Sequence, residues 1–257
     1  MKNNIILAFD FAKRDFKERY VGTGLGQLWY ILSPLITIFI YTVIFSDFMK
    51  MKLNIIDNSY AYSIYLIPGL LAWNAMSTIL LRMDNVIFEK VNLIKKISVP
   101  IYTFYLSVII TETALFFLSL SFGIIFLLFV DQTVNFVFLW LIPLILIQSV
   151  FILGLGVILS LFSAFFRDLK EALPIVLQLL FWMTPIIYMK EMISDKYPFL
   201  VTYNPFYYFI KIYQNIFVYT KAPTCEDLCI IIAIAFVTLF LAMFLYKKMI
   251  STIKDII

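Results

Sequence analysis

Three of the seven glycines in this 257-residue chain stand together in YVGTGLGQLW, residues 20–29. Glycine-rich loops of this kind can hold a phosphate group with their backbone N–H groups. The dinucleotide pattern G-x-G-x-x-G nevertheless fails from Gly22 and from Gly24, because Gln27 and Trp29 stand where its last glycine is required. No glycine precedes a lysine, so the chain has no P-loop and we do not expect it to hydrolyse ATP.

Other chemistry is sparse along the chain. It has no histidine, which argues against zinc sites, catalytic triads and most proton relays, and we predict no metal site. The clearest acid inside an apolar run is Glu112, in IITETALFF. An ionisable group at membrane depth is a candidate for transport, but near the end of a long span it can also make structural hydrogen bonds. Both interpretations of Glu112 stay open at this point.

The composition indicates that the bilayer surrounds these residues. Hydrophobic residues make up 63% and charged residues 14% of the chain, and the mean hydropathy is +0.97. In soluble domains the averages are ~45–50% apolar and ~25% charged residues. Long continuous apolar runs favour helices over a barrel, and a spanning helix needs about 20 residues. We predict an all-α membrane protein whose six spans are residues 29–49, 60–81, 101–130, 136–166, 172–189 and 227–246.

The loops differ in their basic residues. Lys and Arg are concentrated in the N-terminal tail, residues 82–100, residues 167–171 and the C-terminal tail. The positive-inside rule places these segments, and therefore both termini, in the cytoplasm. The formal charge of +4 reflects this bias and gives no reason to expect a nucleic-acid partner.

The polar segments between the spans also have helical patterns. Residues 4–20 predict an amphipathic helix on the lipids of the inner leaflet. The chain must then bend towards the first span, and we interpret Gly22, Gly24 and Gly26 as an elbow there. The 82–100 loop predicts a cytoplasmic helix bounded by Pro100, and Asn204-Pro205 predicts the start of an outer helix.

Two predicted spans carry polar and aromatic side chains along one face. Such faces avoid lipid, either because they pack against other helices or because they line a conduit. Aromatic rings would suit sugar rings, whose C–H edges are apolar. The residues are Tyr30, Ser33, Thr37 and Tyr41 in the first span and Gln178, Trp182, Pro185 and Met189 in the fifth, with Thr184 and Tyr188 beside that face.

Five stretches of the chain form a recognisable set. They are RYVGTGLGQLWYILSPL (19–35), PGLLAWN (68–74), NLIKKISVP (92–100), FRDLKEALPIVLQLLFWMTPIIY (166–188) and YNPFYYFI (203–210). Together they resemble the permease subunit of type-2 ABC exporters, in the branch that exports O-antigen and related polysaccharides. Val99 and Thr184 replace the family's usual Phe and Ser. Each stretch alone is weak, but their order across nearly the whole chain is specific.

The resemblance implies a homodimer in the bacterial inner membrane, with two separate ABC ATPase subunits that bind ATP and Mg; this chain then needs no cofactor. It implies that the first and fifth spans line a channel. It also implies that residues 4–20 and 84–98 contact the ATPase. The corresponding residues are Arg14, Lys17, Glu89, Asn92, Lys95 and Lys96 for coupling, Arg167 and Asp168 for the cytoplasmic motif, and Asn204, Pro205, Tyr207 and Tyr208 for an outer gate.

The implied cargo is a lipid-linked polysaccharide, O-antigen in the first place. The same fold could instead export teichoic acid, capsule or a small molecule. An intramembrane transferase is a different class, and it would need positioned acids or bases. Only Glu112 and the loop carboxylates could serve, and no paired carboxylates stand out.

Overall fold

The computed structural model describes residues 2–44, 58–96, 99–190 and 196–256, and every regular element in these ranges is helical. The all-α prediction is therefore confirmed. The first predicted span (29–49) and the predicted cytoplasmic helix (84–98) each extend partly outside the described residues. The helices are α1 (Lys2–Glu18), α2 (Trp29–Thr42), α3 (Ala61–Glu89), α4 (Val91–Lys96), α5 (Tyr102–Phe129), α6 (Leu141–Phe165), α7 (Asp168–Met183), α8 (Pro198–Thr202), α9 (Pro205–Tyr219) and α10 (Cys225–Ile256).

Among the described residues, four helical segments are long and apolar enough to cross a membrane. They are Ala61–Glu89, Tyr102–Phe129, Phe136–Phe165 and Cys225–Ile253, and they overlap four of the six predicted spans. The third includes the 3₁₀ turn Phe136–Trp140 that leads into α6. A shorter apolar segment, Gly26–Thr42, contains α2.

Two predicted helices have different boundaries from those that the sequence indicates. Helix α7 ends at Met183, short of residue 189, because Thr184 is extended, as residues before proline commonly are. The sequence predicts a separate cytoplasmic helix from residue 84, but helix α3 continues without a break to Glu89. Val86 and Ile87 are still buried in the bundle, which stabilises this extension of α3. The chain leaves the helix at Lys90 before α4 begins.

Helix α3 is the centre of the bundle. It packs against α2, α5, α6, α7 and α9. In its most apolar stretch, 72% of the residues are buried. In the most apolar stretch of α10, 17% of the residues are buried. The share is low because α10 pairs mainly with α6 and exposes Phe236, Val237 and Phe240. An apolar helix with so little burial is suited to lipid, whereas α3 is enclosed by protein.

Helices α6 and α10 approach each other closely at Gly154. A Cβ atom at that position would lie 2.7 Å from the backbone nitrogen of Leu239 and 2.7 Å from the carbonyl carbon of Thr238. Two residues further along α6, a Cβ at Gly156 would collide with Met83 of α3. Small residues of α6 therefore permit close packing on two sides, as such residues commonly do in membrane helices.

We expect Gly154→Ala to lower the stability of the folded protein, since backbone atoms of α10 cannot move aside without shifting that helix. Overpacking of this kind costs about 1–3 kcal/mol. Gly123→Ala is the matched control: it brings the same gain in helix propensity, but its Cβ would meet only side-chain atoms of Leu71 and Phe217, at 3.3 Å or more. Thermal unfolding in detergent measures both variants, and equal melting temperatures would contradict the expectation.

Candidate functional site

Glu112 lies at the centre of a buried ion cluster that joins three parts of the chain. Its side chain, on α5, is 5% exposed and pairs with Arg19 and with Arg82. Arg82, on α3, also holds both carboxylate oxygens of Asp15 on α1, at 2.7 and 2.8 Å. The two acids and two arginines cancel in charge. A charge in such surroundings is tolerated only when it is paired, and here each one is.

The same contact region brings α1 against α5. The hydroxyl of Thr111 donates to the carbonyl of Ala12 at 3.3 Å, and the rings of Phe11 and Phe104 stack with centroids 5.1 Å apart. Ala8 and Ala12 are buried against the bundle, whereas other apolar residues of α1, Ile5, Ile6 and Phe9, are exposed. Helix α1 thus has one side on the protein and another that is suited to lipid.

The chain turns between α1 and α2 at the predicted elbow. Gly22 and Gly26 have φ values of +87° and +52°, which residues with a side chain rarely adopt. Gly24 is not in that region, and a Cβ there would meet nothing within 4 Å. The Thr23 hydroxyl accepts from the Gly26 N–H at 3.1 Å. Two of the three glycines, not all three, are therefore needed for the backbone conformation of the elbow.

Some residues on the polar face of α2 pack against other parts of the protein, and others line a cavity. Tyr30 is buried: its ring stacks on Phe16 with centroids 4.3 Å apart, and its hydroxyl donates to the Phe16 carbonyl at 2.8 Å. Tyr41 is half-buried against the core. Ser33 and Thr37 stand in the wall of a cavity of about 230 Å³ between α2, α3 and α5.

We call this space the polar cavity. No residue of α7 lines it among the residues that the structure describes. The face of α2 is therefore brought together with Glu112 rather than with the fifth predicted span. The lining residues are Arg19, Tyr20, Trp29, Tyr30, Ser33, Pro34, Thr37, Leu71, Asn74, Ala75, Thr78, Glu112, Leu115, Phe116 and Ser119.

Helix α7 buries Leu173 and Leu177 and leaves a broad opposite face uncovered. Gln178 is exposed, and the Trp182 side chain is 58% exposed. Two other predicted residues, Pro185 of this face and Tyr188 beside it, lie beyond the end of the helix: Pro185 is buried, and the Tyr188 hydroxyl donates to the Trp182 carbonyl at 2.6 Å. The predicted stripe is thus continuous only over the helical part.

The outer segment begins as its sequence predicts. The Asn204 side chain caps α9 by accepting from the Phe206 N–H at 3.0 Å, and Pro205 is the first helical residue. Tyr207 is buried, and the Tyr208 hydroxyl donates to the Thr202 carbonyl at 2.9 Å. Helix α9 packs on α3, so the predicted outer gate belongs to the core of the bundle in this structure.

Most of the predicted coupling residues are exposed at one end of the bundle. Arg14 forms a surface pair with Glu18, at 2.7 Å, and it shares a cavity of about 170 Å³ with Glu89. The other described candidates are Lys17, Asn92 and Lys95, which are exposed, and Arg167 and Asp168, which are exposed at the start of α7. The Lys96 side chain lies outside the described residues.

The sequence interpretation named Glu112 but did not identify Arg19, Arg82 and Asp15 as the other members of its ion cluster. A usable signal existed, because a buried acid requires a cation and Arg82 directly follows the second predicted span. The interpretation also missed Asn74 and Thr78 in the cavity wall. They are four residues apart, which puts them on one face of a helix.

We expect Glu112→Gln to destabilise the protein strongly, because Arg19 and Arg82 would then share only the single negative charge of Asp15 in a largely buried cluster. Breaking a buried pair from one side costs ~3–5 kcal/mol. The control is Glu18→Gln, the same change in the exposed Arg14–Glu18 pair, which should cost about 0.3–0.5 kcal/mol. Denaturant unfolding in detergent compares the two, and similar losses would contradict a structural role of the cluster.

Known proteins resemble this chain over most of its length. Residues 10–218 match the ABC-2 type transporter family. Two Klebsiella pneumoniae proteins, each named O-antigen export system permease protein RfbA, are 32% identical over 222 residues, which cover 84% of this chain and 83% of each relative. A Myxococcus xanthus protein of the same name is 28% identical over 244 residues, which cover 94% of this chain and 92% of that relative. The chain belongs to the ABC-2 type transporter family.

Proposed function

We propose that this chain is the membrane channel subunit of an ATP-driven exporter that moves a lipid-linked polysaccharide, O-antigen in the first place, out of the cytoplasm. The observation that carries the proposal is the similarity to three O-antigen export permeases over more than four fifths of this chain. The chain is then a multi-pass protein of the bacterial inner membrane with six spans. Two of these contain α2 and α7, and both termini are cytoplasmic.

Energy comes from a partner in this proposal. Membership of the family implies an ABC ATPase, which would bind ATP and Mg, and the present chain has no P-loop of its own. The exposed residues Arg14, Lys17 and Glu89 are suited to bind the ATPase, since they stand on α1 and at the end of α3. Movement of α1 would reach α3 and α5 through the Asp15–Arg82–Glu112 contacts.

A second copy of the chain would complete the conduit. The uncovered face of α7 carries Gln178 between the apolar residues Ile175, Leu179 and Trp182, which are all exposed. A mixed face of this kind suits a boundary between a partner helix and a polar path better than it suits lipid alone. Aromatic rings along that path would hold sugar rings loosely enough for the polymer to advance.

The alternatives differ in cargo or in class. Export of teichoic acid, capsule or a small molecule keeps the same arrangement, and the names of the relatives favour O-antigen over these. A transferase within the membrane needs a free acid or base. Glu112, the strongest candidate for that role, is instead held by Arg19 and Arg82.

Deletion of the gene tests the proposed function directly. Cells without the chain should accumulate lipid-linked polysaccharide on the cytoplasmic side and lose it from the surface. The intact gene should restore the surface polymer only in the presence of its ATPase. Unchanged surface polysaccharide in the deletion strain would refute the proposal.

We expect Trp182→Ala to slow export while the protein still folds, because most of this side chain is exposed. Loss of one ring contact with a sugar is worth about 0.5–1.5 kcal/mol, which corresponds to a roughly two- to tenfold change in rate. The control is Phe240→Ala, which removes an aromatic ring of similar exposure, 64%, from α10. Surface polysaccharide after induction measures both variants; equal effects would contradict a conduit at α7.

A further inference from the structure

The inference starts from a conflict within α3. This helix is the most enclosed one of the bundle, yet Asn74 and Thr78, near its midpoint, are exposed. The positions that follow on this face, Arg82, Asn85 and Glu89, are also polar. Their spacing of four, four, three and four residues defines a single helical stripe. Polar side chains inside a membrane are costly unless they face protein or water, so this stripe requires an explanation.

The described part of the protein offers no hydrogen-bond partner to either of the two central side chains. Within the described residues, the Asn74 amide and the Thr78 hydroxyl have no hydrogen-bond partner. Ser77, their neighbour on α3, differs: its hydroxyl donates to the Trp73 carbonyl at 2.9 Å. An amide left without partners in apolar surroundings costs roughly 1–3 kcal/mol. Asn74 and Thr78 therefore need water or a polar ligand.

The opposite wall of the polar cavity offers groups of the same kind. Ser33 and Thr37 come from α2, and Ser119 comes from α5. The Thr37 and Ser119 hydroxyls donate to the carbonyls of Ser33 and Leu115, both at 2.9 Å, so their oxygen lone pairs remain available to accept hydrogen bonds. Hydroxyl and amide groups thus surround the space on three helices.

The charge of the cavity wall selects against ions. Arg19 and Glu112 both stand in the wall, but they pair with each other, and the remaining charges of the cluster, on Asp15 and Arg82, also cancel. Neither an anion nor a cation gains from a neutral wall. The Trp29 ring, which is partly exposed, adds an aromatic surface at one side. Neutral polar groups with an aromatic ring suit a ligand that has both hydroxyls and an apolar face.

The volume agrees with such a ligand. Water occupies about 30 Å³ per molecule in the liquid, so a cavity of 230 Å³ has room for several waters or for a single sugar ring. We propose that Asn74 and Thr78, with Ser33, Thr37 and Ser119, form a hydrated side pocket of the export path that binds one neutral pyranose unit of the glycan. This rests on the proposed function. It gives α3 a place in the path beside α2 and α7.

Cysteine accessibility tests the side pocket in the complete transporter. Asn74→Cys and Thr78→Cys are made in a chain whose exposed Cys225 and Cys229 are replaced by Ser. Phe236→Cys, at a position 71% exposed on α10, is the control for lipid contact. The probe is a charged, water-soluble methanethiosulfonate, applied to open membrane vesicles with and without glycan synthesis.

We expect cysteines at 74 and 78 to react at least about tenfold faster than at 236, since a thiolate forms readily only where water reaches. Active export should slow the reaction at 74 and 78 several-fold but not at 236. Rates at 74 and 78 as slow as at 236 would mean that lipid or a second copy covers the stripe, and would overturn the proposal. Equal rates with and without glycan would show that water alone occupies the pocket, and would overturn the proposal that a sugar is its ligand.

Asn74→Leu and Ser77→Ala separate this inference from the proposed function. The Asn74 variant should export less polymer and the Ser77 variant normal amounts, at equal levels of folded protein. Normal export by Asn74→Leu, while the unmutated chain exports polysaccharide, contradicts the side pocket alone. Failure of the unmutated chain to export any polysaccharide contradicts the proposed function, and with it the glycan as ligand.

Discussion

Neutralisation of one buried carboxylate is the constraint on which the packing of α1, α3 and α5 depends. Glu112 is 5% exposed, and an isolated charge in that position would be far less stable than one in water. Arg19 and Arg82 neutralise it, and Asp15 neutralises the remaining positive charge. Because these groups belong to α3, to α5 and to the segment from α1 to Arg19, none of these three parts can move independently without exposing an unpaired charge.

The central position of α3 explains why polar and small residues occur where they do. A helix surrounded by five others needs close approaches, and Gly156 of α6 provides one against Met83. The same enclosure gives α3 only one open face, and that face is polar from Asn74 to Glu89. A helix that exposed this stripe to lipid would be unstable, so the stripe and the enclosed position of α3 fit each other.

The sequence predicts features that depend on neighbouring residues and misses those that depend on distant ones. Apolar runs locate four long helices, and Asn204-Pro205 locates the start of α9, because both signals are local. The partners of Glu112 are 93 and 30 residues away from it along the chain, and only the packed fold brings them together. Periodicity places Tyr30 on the polar and aromatic face of α2, but it does not reveal the ring of Phe16, 14 residues earlier, on which Tyr30 stacks.

The ion cluster links the position of α1 to the positions of α3 and α5. A neutral cluster of two acids and two arginines is rigid only while every pair is kept, since a charge that loses its partner at this depth becomes very costly. Displacement of α1 by a bound ATPase would therefore be followed by α3 and α5 rather than absorbed at α1. The polar cavity lies against these same helices, and Glu112 and Arg19 are part of its wall. A shift of α1 that keeps the pairs intact would therefore move α3 and α5, two of the three helices that enclose the cavity.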